Sequence, residues 1–322
     1  MPTRGGRPAP LVVGARGSPL SRAQTGGVMR ALAGLHPGLE IRFEAVRTQG
    51  DDPASRPYGG SGVKGLFVKE IETALLEGRI DLAVHSAKDM AALLPAGLVL
   101  GAAPARETPW DALLSREGLT VGGLPAGSKV GTSSLRRGAF LRLARPDLEV
   151  VPLRGNVETR IKKLGRGCDA IILAGAALLR MDPPPSIPAG FGASDIPWTV
   201  LPPSPAQGQL ALEHREGDAR VSALLAPLSH RPSELALAAE RALMRRLGLG
   251  CSAPVGALAV LEGGRLRIRA AAADLENRAV LVSELECPDP TPALAGRLGE
   301  EAAEDLLGQG ARRLTTAGPE TD

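Results

Sequence analysis

The stretch LVVGARGSPL, residues 11–20, joins a short apolar run to the start of a helix. Residues 10–15 are typical of a strand, and Ser18 followed by Pro19 is a favourable N-cap and first helical residue. This pattern predicts a helix that runs to about Leu35. Short apolar runs and helical patterns continue to alternate over the first hundred residues. Strands separated by helices in this way predict parallel pairing and an α/β layer structure.

The other elements predict two such α/β units. In the first unit we predict strands at 39–47, 81–85 and 98–103, a loop at 51–65, and a helix at 66–76 that ends at Gly78. In the second unit we predict strands at 129–132, 148–153 and 169–174, a helix from near Ser133, and a helix at 156–164. Segment 181–205 carries eight prolines in 25 residues and is predicted to be irregular. Residues 209–213 predict a short strand that returns to the first unit.

The last ninety residues are typical of a small α+β domain. A predicted helix at 233–247, capped by Ser233 and stopped by Gly248, precedes three predicted strands at 256–261, 265–272 and 279–286. Gly263 and Gly264 supply a hairpin turn between the first two strands, and a helix at 292–309 follows the third.

Composition limits the class of protein. With 322 residues and 38 Lys and Arg against 35 Asp and Glu, the chain is predicted to be a globular protein of about two or three domains. The chain holds only 2 Trp, 1 Tyr and 4 Phe, so base stacking is disfavoured and no nucleic-acid partner is expected. Cys168, Cys251 and Cys287 lack metal or disulfide spacing, and no metal site is expected. No apolar run is long enough for a secretory signal or a membrane span, so we expect a cytoplasmic protein without a membrane partner.

Polar side chains follow the predicted strands at four places, where ligands bind in open parallel sheets. These places are residues 16–18, 88–89, 132–137 and 154–156, with Arg160 about one turn further on. Arg136 and Arg137 fall in the first turn of a predicted helix, where the helix dipole disfavours cations, so a compensating anion is expected. Any single arginine here is explained equally by solvent exposure or by an ion pair with a nearby acid. Five arginines at corresponding strand ends favour a ligand with several carboxylates or phosphates.

Asp89 and Cys251 are the candidates for chemistry. A carboxylate among cations stays ionised and can stabilise a cation that develops in a reaction, whereas the alternative is a structural ion pair with Lys88. Cys251 lies in a glycine-containing loop before Pro254. It is a candidate nucleophile or attachment point, and the alternative is a small buried side chain. His85, inside an apolar strand, is predicted to be a core histidine.

Eight strings, taken together and in order, resemble the porphobilinogen deaminase (hydroxymethylbilane synthase) family. They are ARGSPL (15–20), VKGLFVKEIETALL (63–76), DLAVHSAKD (81–89), VGTSSLRR (130–137), LRGNVETRIKKL (153–164), DAIILA (169–174), AQGQLALE (206–213) and AERALMRRLGLGCSAPVGA (239–257). The resemblance implies a transferase of tetrapyrrole biosynthesis that condenses four porphobilinogen molecules head to tail. Four ammonia molecules leave, and hydrolysis then releases linear hydroxymethylbilane.

The resemblance also implies a fold and a cofactor. The expected fold is α/β, with two periplasmic-binding-protein-like α/β domains around a cleft plus a small C-terminal α+β domain. The expected bounds are 1–104 with 209–226 for domain 1, 105–208 for domain 2, and 231–322 for domain 3. The expected cofactor is dipyrromethane, joined to Cys251 through a thioether. The family resemblance further implies a monomer that binds porphobilinogen.

Particular residues match the family's functional positions. Asp89 matches the catalytic aspartate, whose carboxylate would stabilise the cation left by loss of ammonia or relay protons. The cofactor-binding residues that the resemblance implies, besides Cys251, are Lys88, Thr132, Ser133, Ser134, Arg136, Arg137, Arg154, Asn156 and Arg160. The implied substrate-binding residues are Arg16, Ser18, Gln24, Lys64 and Gln207.

The chain departs from the family pattern at four places. Gly60 stands where the active-site loop often has a further lysine, and Ala91 replaces a proline. Ala206 replaces the glycine before the QG pair, and Leu249 replaces the first of two glycines before Cys251. None of these changes removes a reacting group, and the Gly60 change alters the charge of the loop.

Two other functions are weighed against this one. A non-catalytic binding protein with the same two-lobed cleft would explain the arginines, but not a further domain that presents Cys251. A phosphate-transfer enzyme would also need cations, but the chain has no G-x-x-x-x-G-K-[ST] loop.

Overall fold

The computed structural model of the chain describes residues 9–49, 68–248 and 253–315. Three β-sheets organise these residues, two of five strands and one of three. The whole of the predicted loop 51–65, with Gly60 and Lys64, lies outside the described residues, as do Leu249 and Cys251. Within the described ranges, no helix combines the length and the apolar character needed to cross a membrane.

The first sheet is mixed rather than fully parallel. Its strands, in spatial order, are β2 (Ile41–Val46), β1 (Leu11–Arg16), β3 (Leu82–Ser86), β10 (Leu210–Arg215) and β4 (Leu98–Ala102). Strands β2, β1 and β3 are parallel, whereas β10 is antiparallel to both β3 and β4. Helices α1 (Pro19–Leu35) and α6 (Ala219–Leu225) pack on one face, and α2 (Lys69–Leu76) packs on the other. The return of the chain to this sheet through β10 was predicted and is confirmed.

The second sheet repeats this arrangement. Its strands, in spatial order, are β7 (Glu149–Val151), β6 (Lys129–Gly131), β8 (Ala170–Ala174), β5 (Asp111–Arg116) and β9 (Phe191–Ile196). Strands β7, β6 and β8 are parallel, and β5 runs antiparallel between β8 and β9. Three helices belong to this unit: α3 (Leu135–Ala144), α4 (Val157–Ile161) and α5 (Gly175–Arg180).

The chain crosses between the two sheets twice, along residues 103–110 and 197–209. The two crossing segments touch, because the N–H of Glu107 donates to the carbonyl of Gly208 at 3.0 Å and Nε of Arg106 donates to the carbonyl of Gln207 at 2.8 Å. Each sheet therefore depends on a strand that lies next to a crossing, β5 in the second sheet and β10 in the first.

The C-terminal unit is an antiparallel sheet covered by two helices. The sheet has the order β11 (Val255–Glu262), β12 (Arg265–Asp274) and β13 (Ala279–Pro288). Helices α7 (Arg231–Leu247) and α8 (Pro292–Gly308) form its core with one face of the sheet. Ala271 and Ala273, on the other face of β12, pack into the core of the second unit. The α/β class with a small α+β unit is thereby confirmed.

Three local predictions were wrong. Segment 181–205 is not irregular throughout, since it contains β9, an edge strand whose partly exposed faces give no hydrophobic alternation. Ser233 does not cap α7, because His230 occupies the N-cap and the Ser233 hydroxyl accepts the N–H of Arg106 at 2.9 Å. The sheets are not all-parallel, because β5 and β10 enter them from the crossings.

We expect Gly208→Ala to lower the melting temperature of the protein strongly. Gly208 has φ +83°, and a Cβ there would overlap the carbonyl oxygens of Glu107 and Thr108 in the other crossing segment. Because both neighbours are backbone atoms, the substitution must separate the crossings. Calorimetric melting of the variant measures the loss.

Gly217→Ala is the matched control. Gly217 has a similar φ of +79°, but nothing lies within 4 Å of an added Cβ. The stability that Gly217→Ala loses should therefore reflect the left-handed backbone alone and amount to about 1 kcal/mol. Equal melting temperatures for the two variants would contradict the close contact of the crossings.

Candidate active site

Asp89 ends a short 3-10 turn, Ala87–Asp89, that directly follows β3. The N–H of Ala87 donates to the carbonyl of Gln209 at 3.0 Å, which fixes the turn to the start of β10. The Asp89 side chain is exposed, whereas Lys88 is partly buried and its Nζ donates to Oε1 of Gln207 at 3.1 Å. The turn therefore presents a carboxylate at the surface and an ammonium towards the crossing segments.

A buried carboxylate joins the two adjacent arginines of α3. Asp111, the first residue of β5, is 0% exposed. Its Oδ2 accepts from Nη2 of Arg136 at 2.6 Å, and its Oδ1 accepts from Nη2 and Nε of Arg137 at 2.6 and 3.1 Å. Arg136 also donates to the carbonyl of Pro202, and Arg137 donates to the carbonyl of Ile172 at 3.0 Å. The structure thus supplies an internal anion for this arginine pair.

Gln207 connects this buried cluster to the Asp89 turn. Its Nε2 donates to the carbonyl of Pro109 at 2.8 Å and to Oδ1 of Asp111 at 3.1 Å, while its Oε1 accepts from Lys88. The residue is 0% exposed. The structure therefore places Gln207 between the two parts of the site, with both of its amide atoms engaged.

Burial and proximity set the charges of the cluster. Burial by itself raises the pKa of Asp111, but Arg136, Arg137 and Lys88 act in the opposite direction and hold this pKa well below its ordinary value. Desolvation lowers the pKa of Lys88 to about 8, against the attraction of Asp89 and Asp111 and with the repulsion of the two arginines. Burial also lowers the pKa of Arg136. Asp111 is thus ionised, and Lys88 is the member of this cluster whose charge changes in the mildly alkaline range.

Three hydroxyl side chains shape the loop between β6 and α3. Oγ1 of Thr132 accepts from the N–H of Ser134 at 3.1 Å, and Oγ of Ser134 caps α3 by accepting from the N–H of Arg137 at 3.4 Å. Oγ of Ser133 donates to the carbonyl of Leu153 and accepts from its N–H, both at 3.0 Å. Helix α3 thus begins after Ser134, and Ser133 ties this loop to the loop that follows β7.

The loop after β7 carries Arg154 and Asn156, and Arg160 lies in helix α4, which follows this loop. Oδ1 of Asn156 caps α4 by accepting from the N–H of Thr159 at 2.8 Å, and Nε of Arg160 donates to the carbonyl of Gly155 at 2.7 Å. Arg154 is exposed and Arg160 is partly buried. Because β6 and β7 are parallel neighbours, this loop and the hydroxyl-bearing loop lie side by side.

Arg16, Ser18 and Gln24 lie at the edge of the first sheet that also carries the Asp89 turn. Arg16 ends β1, and Ser18 caps α1 as predicted. Gln24 is buried, and its Oε1 accepts from the hydroxyl of Ser86 at 3.2 Å. Since β1 and β3 are parallel neighbours, their carboxyl ends lie at the same edge of the sheet.

A second buried carboxylate fastens the C-terminal unit to the crossings. Glu240 of α7 accepts from Nη1 and Nη2 of Arg106 at 2.6 and 3.2 Å, from the N–H of Ala259 at 2.7 Å, and from the N–H of Ala206. Ala206 has φ +61°, a conformation that glycine adopts more easily. The departure from the family pattern at Ala206 therefore places a methyl group on a left-handed residue.

Other polar side chains do not join the site. His85 is a buried core histidine as predicted, with Nε2 at 3.0 Å from Oε2 of Glu213. Over the described parts of the chain, no group of three His, Cys, Asp or Glu side chains could hold a metal ion.

The candidate residues thus fall into three sets. Lys88, Asp89, Gln207, Arg136 and Arg137 form one connected cluster. Two adjacent loops and the start of α4 carry Thr132, Ser133, Ser134, Arg154, Asn156 and Arg160. The edge of the first sheet carries Arg16, Ser18 and Gln24. Cys251 and Lys64 lie outside the described residues. Sequence analysis missed Asp111 and Glu240. The unbalanced arginine pair at a helix start was a signal for an acid such as Asp111, whereas Glu240 gave no signal.

Comparison with known proteins decides the family. The model "Porphobilinogen deaminase, dipyromethane cofactor binding domain" matches residues 11–223, and "Porphobilinogen deaminase, C-terminal domain" matches residues 235–308. The porphobilinogen deaminase of Roseiflexus sp. (strain RS-1) is 45% identical over 306 residues, which covers 94% of this chain and 98% of that protein. The protein of the same name from Moorella thermoacetica is 45% identical over 305 residues, covering 94% and 95%. The chain belongs to the porphobilinogen deaminase family.

As a porphobilinogen deaminase family member, the chain is an enzyme, a transferase that polymerises porphobilinogen with a dipyrromethane cofactor. Among solved structures, the periplasmic VFT2 domain of Bordetella pertussis BvgS has a TM-score of 0.39 and 18% sequence identity, covering 72% of this chain and 91% of that one.

The donor set of the site fits a dipyrromethane. Each pyrrole of that cofactor carries an acetate and a propionate, and guanidinium and ammonium groups bind carboxylates through strong, charge-assisted hydrogen bonds. The cluster around Asp111 contains more cations than acids, and Arg154 on the loop after β7 and Arg160 in α4 add further positive charge. The site can therefore compensate several carboxylates.

We expect turnover by this enzyme to fall as the pH rises above about 8, the pKa of Lys88. Lys88 is charged below its pKa and neutral above it, so the attraction that we expect it to exert on ligand carboxylates is lost on the alkaline side. Initial rates of porphobilinogen consumption from about pH 6.5 to about pH 9.5 measure this dependence.

Lys88→Arg tests the assignment of this pH dependence. Arginine stays charged over the whole range, so the variant should lose the alkaline decline in whatever activity it retains. Lys129→Arg, at an exposed lysine of β6, should keep the decline. An alkaline decline with the same midpoint in Lys88→Arg would exclude Lys88 as its source.

Proposed function

We propose that this chain makes hydroxymethylbilane from four porphobilinogen molecules at the site formed by the Asp89 turn and the cation cluster. The observation that carries the proposal is the exposed carboxylate of Asp89 beside Lys88, whose ammonium is joined through Gln207 to the buried Asp111. One anion at the edge of a cation-rich cluster suits a ligand that holds carboxylates at its periphery and develops a positive charge at its ring.

Each addition of a porphobilinogen replaces one C–N bond with one C–C bond. The C–N bond of the substrate's aminomethyl group breaks, and a C–C bond forms to the terminal pyrrole of the growing chain. The hydrogen displaced from that pyrrole carbon completes the ammonia that leaves. A final hydrolysis adds water and frees the linear product.

Asp89 is the catalytic residue in this proposal. Loss of the amine leaves a cation conjugated with the pyrrole nitrogen, and a fixed carboxylate beside that N–H stabilises the charge where it develops. The turn that carries Asp89 is held by the Ala87–Gln209 hydrogen bond of 3.0 Å. The backbone that carries the carboxylate is therefore positioned before the reaction begins. The same oxygen atoms can hold a proton on its way to the departing amine.

Cys251 is the proposed attachment point for dipyrromethane, through a thioether. When bound, this cofactor supplies the terminal pyrrole carbon at which chain growth begins. The described residues after Cys251 support the assignment, since the N–H of Ala257 donates to the carbonyl of Pro203 at 2.9 Å and a Cβ at Gly256 would overlap Pro202. The carbonyl of Pro202 in turn accepts from Arg136, so β11 begins close to the cation cluster.

The other candidate residues bind carboxylates or orient the pyrroles. We assign the cofactor to Lys88, Thr132, Ser133, Ser134, Arg136, Arg137, Arg154, Asn156 and Arg160. We assign the incoming substrate to Arg16, Ser18, Gln24, Lys64 and Gln207. Cations stacked along the two units can hold a chain whose carboxylates increase with every addition.

The proposal includes three domains, with bounds 1–104 plus 209–226, 105–208 and 231–322. The membership of the three sheets supports this division, because β10 lies in the first sheet although it follows β9 in the chain. We also propose a cytoplasmic monomer that works without a nucleic-acid or membrane partner. Cys168 and Cys287 are free thiols, which is typical of proteins in a reducing compartment.

Intact-mass measurement of the denatured protein tests the attachment. We expect the purified chain to carry the added mass of two linked pyrroles, because a thioether survives denaturation. Cys251→Ser should lack this mass and the activity, since serine offers no thiolate for the bond.

Cys168→Ser and Cys287→Ser are the matched controls, and both should keep the adduct. An unmodified Cys251 in fully active protein would rule out the thioether at this position. An unmodified Cys251 in protein that is also inactive would instead favour the non-catalytic binding protein.

Asp89→Asn tests the catalytic carboxylate. The amide keeps the size of the side chain but removes its charge, so we expect ammonia release to fall about 100-fold or more while the adduct is retained. Steady-state release of ammonia and intact mass provide the two measurements.

Asp195→Asn, at an exposed acid of β9, is the control and should leave both measurements unchanged. Normal ammonia release by Asp89→Asn would show that this carboxylate does not act on the developing cation.

A further inference from the structure

A single acid, Asp111, ties the three cations of the buried cluster together. Arg136 and Arg137 bind it directly at 2.6 Å, and Lys88 reaches it through the amide of Gln207. Asp111 is itself 0% exposed, and both of its carboxylate oxygens are engaged by Arg136, Arg137 and Gln207, so it acts through these side chains.

We propose that Asp111 is a positioning residue of the active site, which orients the arginine pair directly and Lys88 through Gln207. The proposal rests on the proposed function, because that function assigns these cations to ligand carboxylates.

The two oxygens of Asp111 divide the guanidinium groups between them. Oδ2 accepts from Nη2 of Arg136, and Oδ1 accepts from Nε and Nη2 of Arg137, while the carbonyls of Pro202 and Ile172 accept from Nη1 of Arg136 and of Arg137, respectively. Each guanidinium plane is therefore fixed at two points before any ligand arrives. The N–H groups of each guanidinium that are not used in these bonds are the donors left for a ligand carboxylate. Their directions are set by the bonds that hold the guanidinium plane.

Asp111 also decides which way the Gln207 amide faces. An ionised carboxylate only accepts hydrogen bonds, so the Gln207 nitrogen must point towards Asp111, where it lies at 3.1 Å. The carbonyl of Pro109 accepts from the same nitrogen at 2.8 Å. The amide oxygen is consequently turned towards Nζ of Lys88. A neutral amide in place of Asp111 would no longer impose this orientation.

The charge of Asp111 acts on Lys88 as well. Lys88 is surrounded by Asp89 on its own turn, by Asp111 on β5, and by Arg136 and Arg137 on α3. The two acids favour the charged ammonium, and the two arginines and burial oppose it. Removal of Asp111 would leave the arginines unopposed on that side, so Lys88 would lose its proton at lower pH.

The experiment measures the titration of Lys88 directly, by carbon NMR of the full chain with labelled lysine. The chain contains only six lysines, and Lys88→Arg assigns the resonance. We expect a midpoint of about 8 in the wild type. In Asp111→Asn we expect a midpoint lower by about one pH unit or more. The ratio kcat/KM for porphobilinogen at neutral pH should fall about tenfold or more in the same variant.

Asp147→Asn is the matched control. Asp147 also pairs with an arginine, Arg145 at 2.6 Å, but on a more exposed surface of the same unit. Its removal should leave the Lys88 midpoint and the kinetics unchanged. A drop in activity of Asp111→Asn without a change in the midpoint would indicate a merely structural acid and would overturn the proposal.

If Asp111→Asn does not fold, Gln207→Met decides the question. This substitution keeps the side-chain volume and the arginine pairs but removes the amide between Asp111 and Lys88. A lower Lys88 midpoint supports the orienting role, and an unchanged midpoint refutes it. The titration requires neither cofactor nor turnover, so its result stands apart from the mass of Cys251 and the activity of Asp89→Asn.

Discussion

Three positive charges gather around the buried carboxylate of Asp111 at the point where a crossing segment enters the second sheet. A buried cation without a partner is strongly unfavourable, and a buried pair that loses one member is destabilised by about 3–5 kcal/mol. The protein thus keeps a concentrated positive field next to Asp89 only because one acid is retained inside it. The cluster combines charge for a polyanionic ligand with a rigid arrangement of its donors.

The double crossing between the sheets explains why these residues meet. Asp111 follows the first crossing and Gln207 lies near the end of the second, and the contact of Glu107 with Gly208 brings the two together. Glu240 binds Arg106 and the N–H of Ala206, which fixes the C-terminal unit to the same place. Residues distant in sequence therefore form one site through the backbone of the crossings, with the C-terminal unit attached to them.

The sequence predicted what local chemistry determines. The bounds of α1, its Ser18 cap, the stop of α7 at Gly248 and the return of β10 were all correct, because caps, glycines and apolar runs act over a few residues. Strand β5 was not predicted, since it begins with a charged residue, Asp111, that is buried by partners more than twenty residues away. The same reason hid Asp111 and the engaged amide of Gln207. The family resemblance identified the residues that bear charge, but only the tertiary structure shows which of these charges are paired.

The last strand of the first sheet, β10, follows all the strands of the second sheet along the chain, and this order affects folding during synthesis. All five strands of the second sheet lie between Asp111 and Ile196, whereas the first sheet needs β10, which ends at Arg215. On the ribosome, strands β3 and β4 emerge early but lack the neighbour that separates them until two-thirds of the chain has been synthesised. The second sheet is thus the first that can be completed during translation. The first sheet stays incomplete, with the position between β3 and β4 unfilled, until β10 has been synthesised.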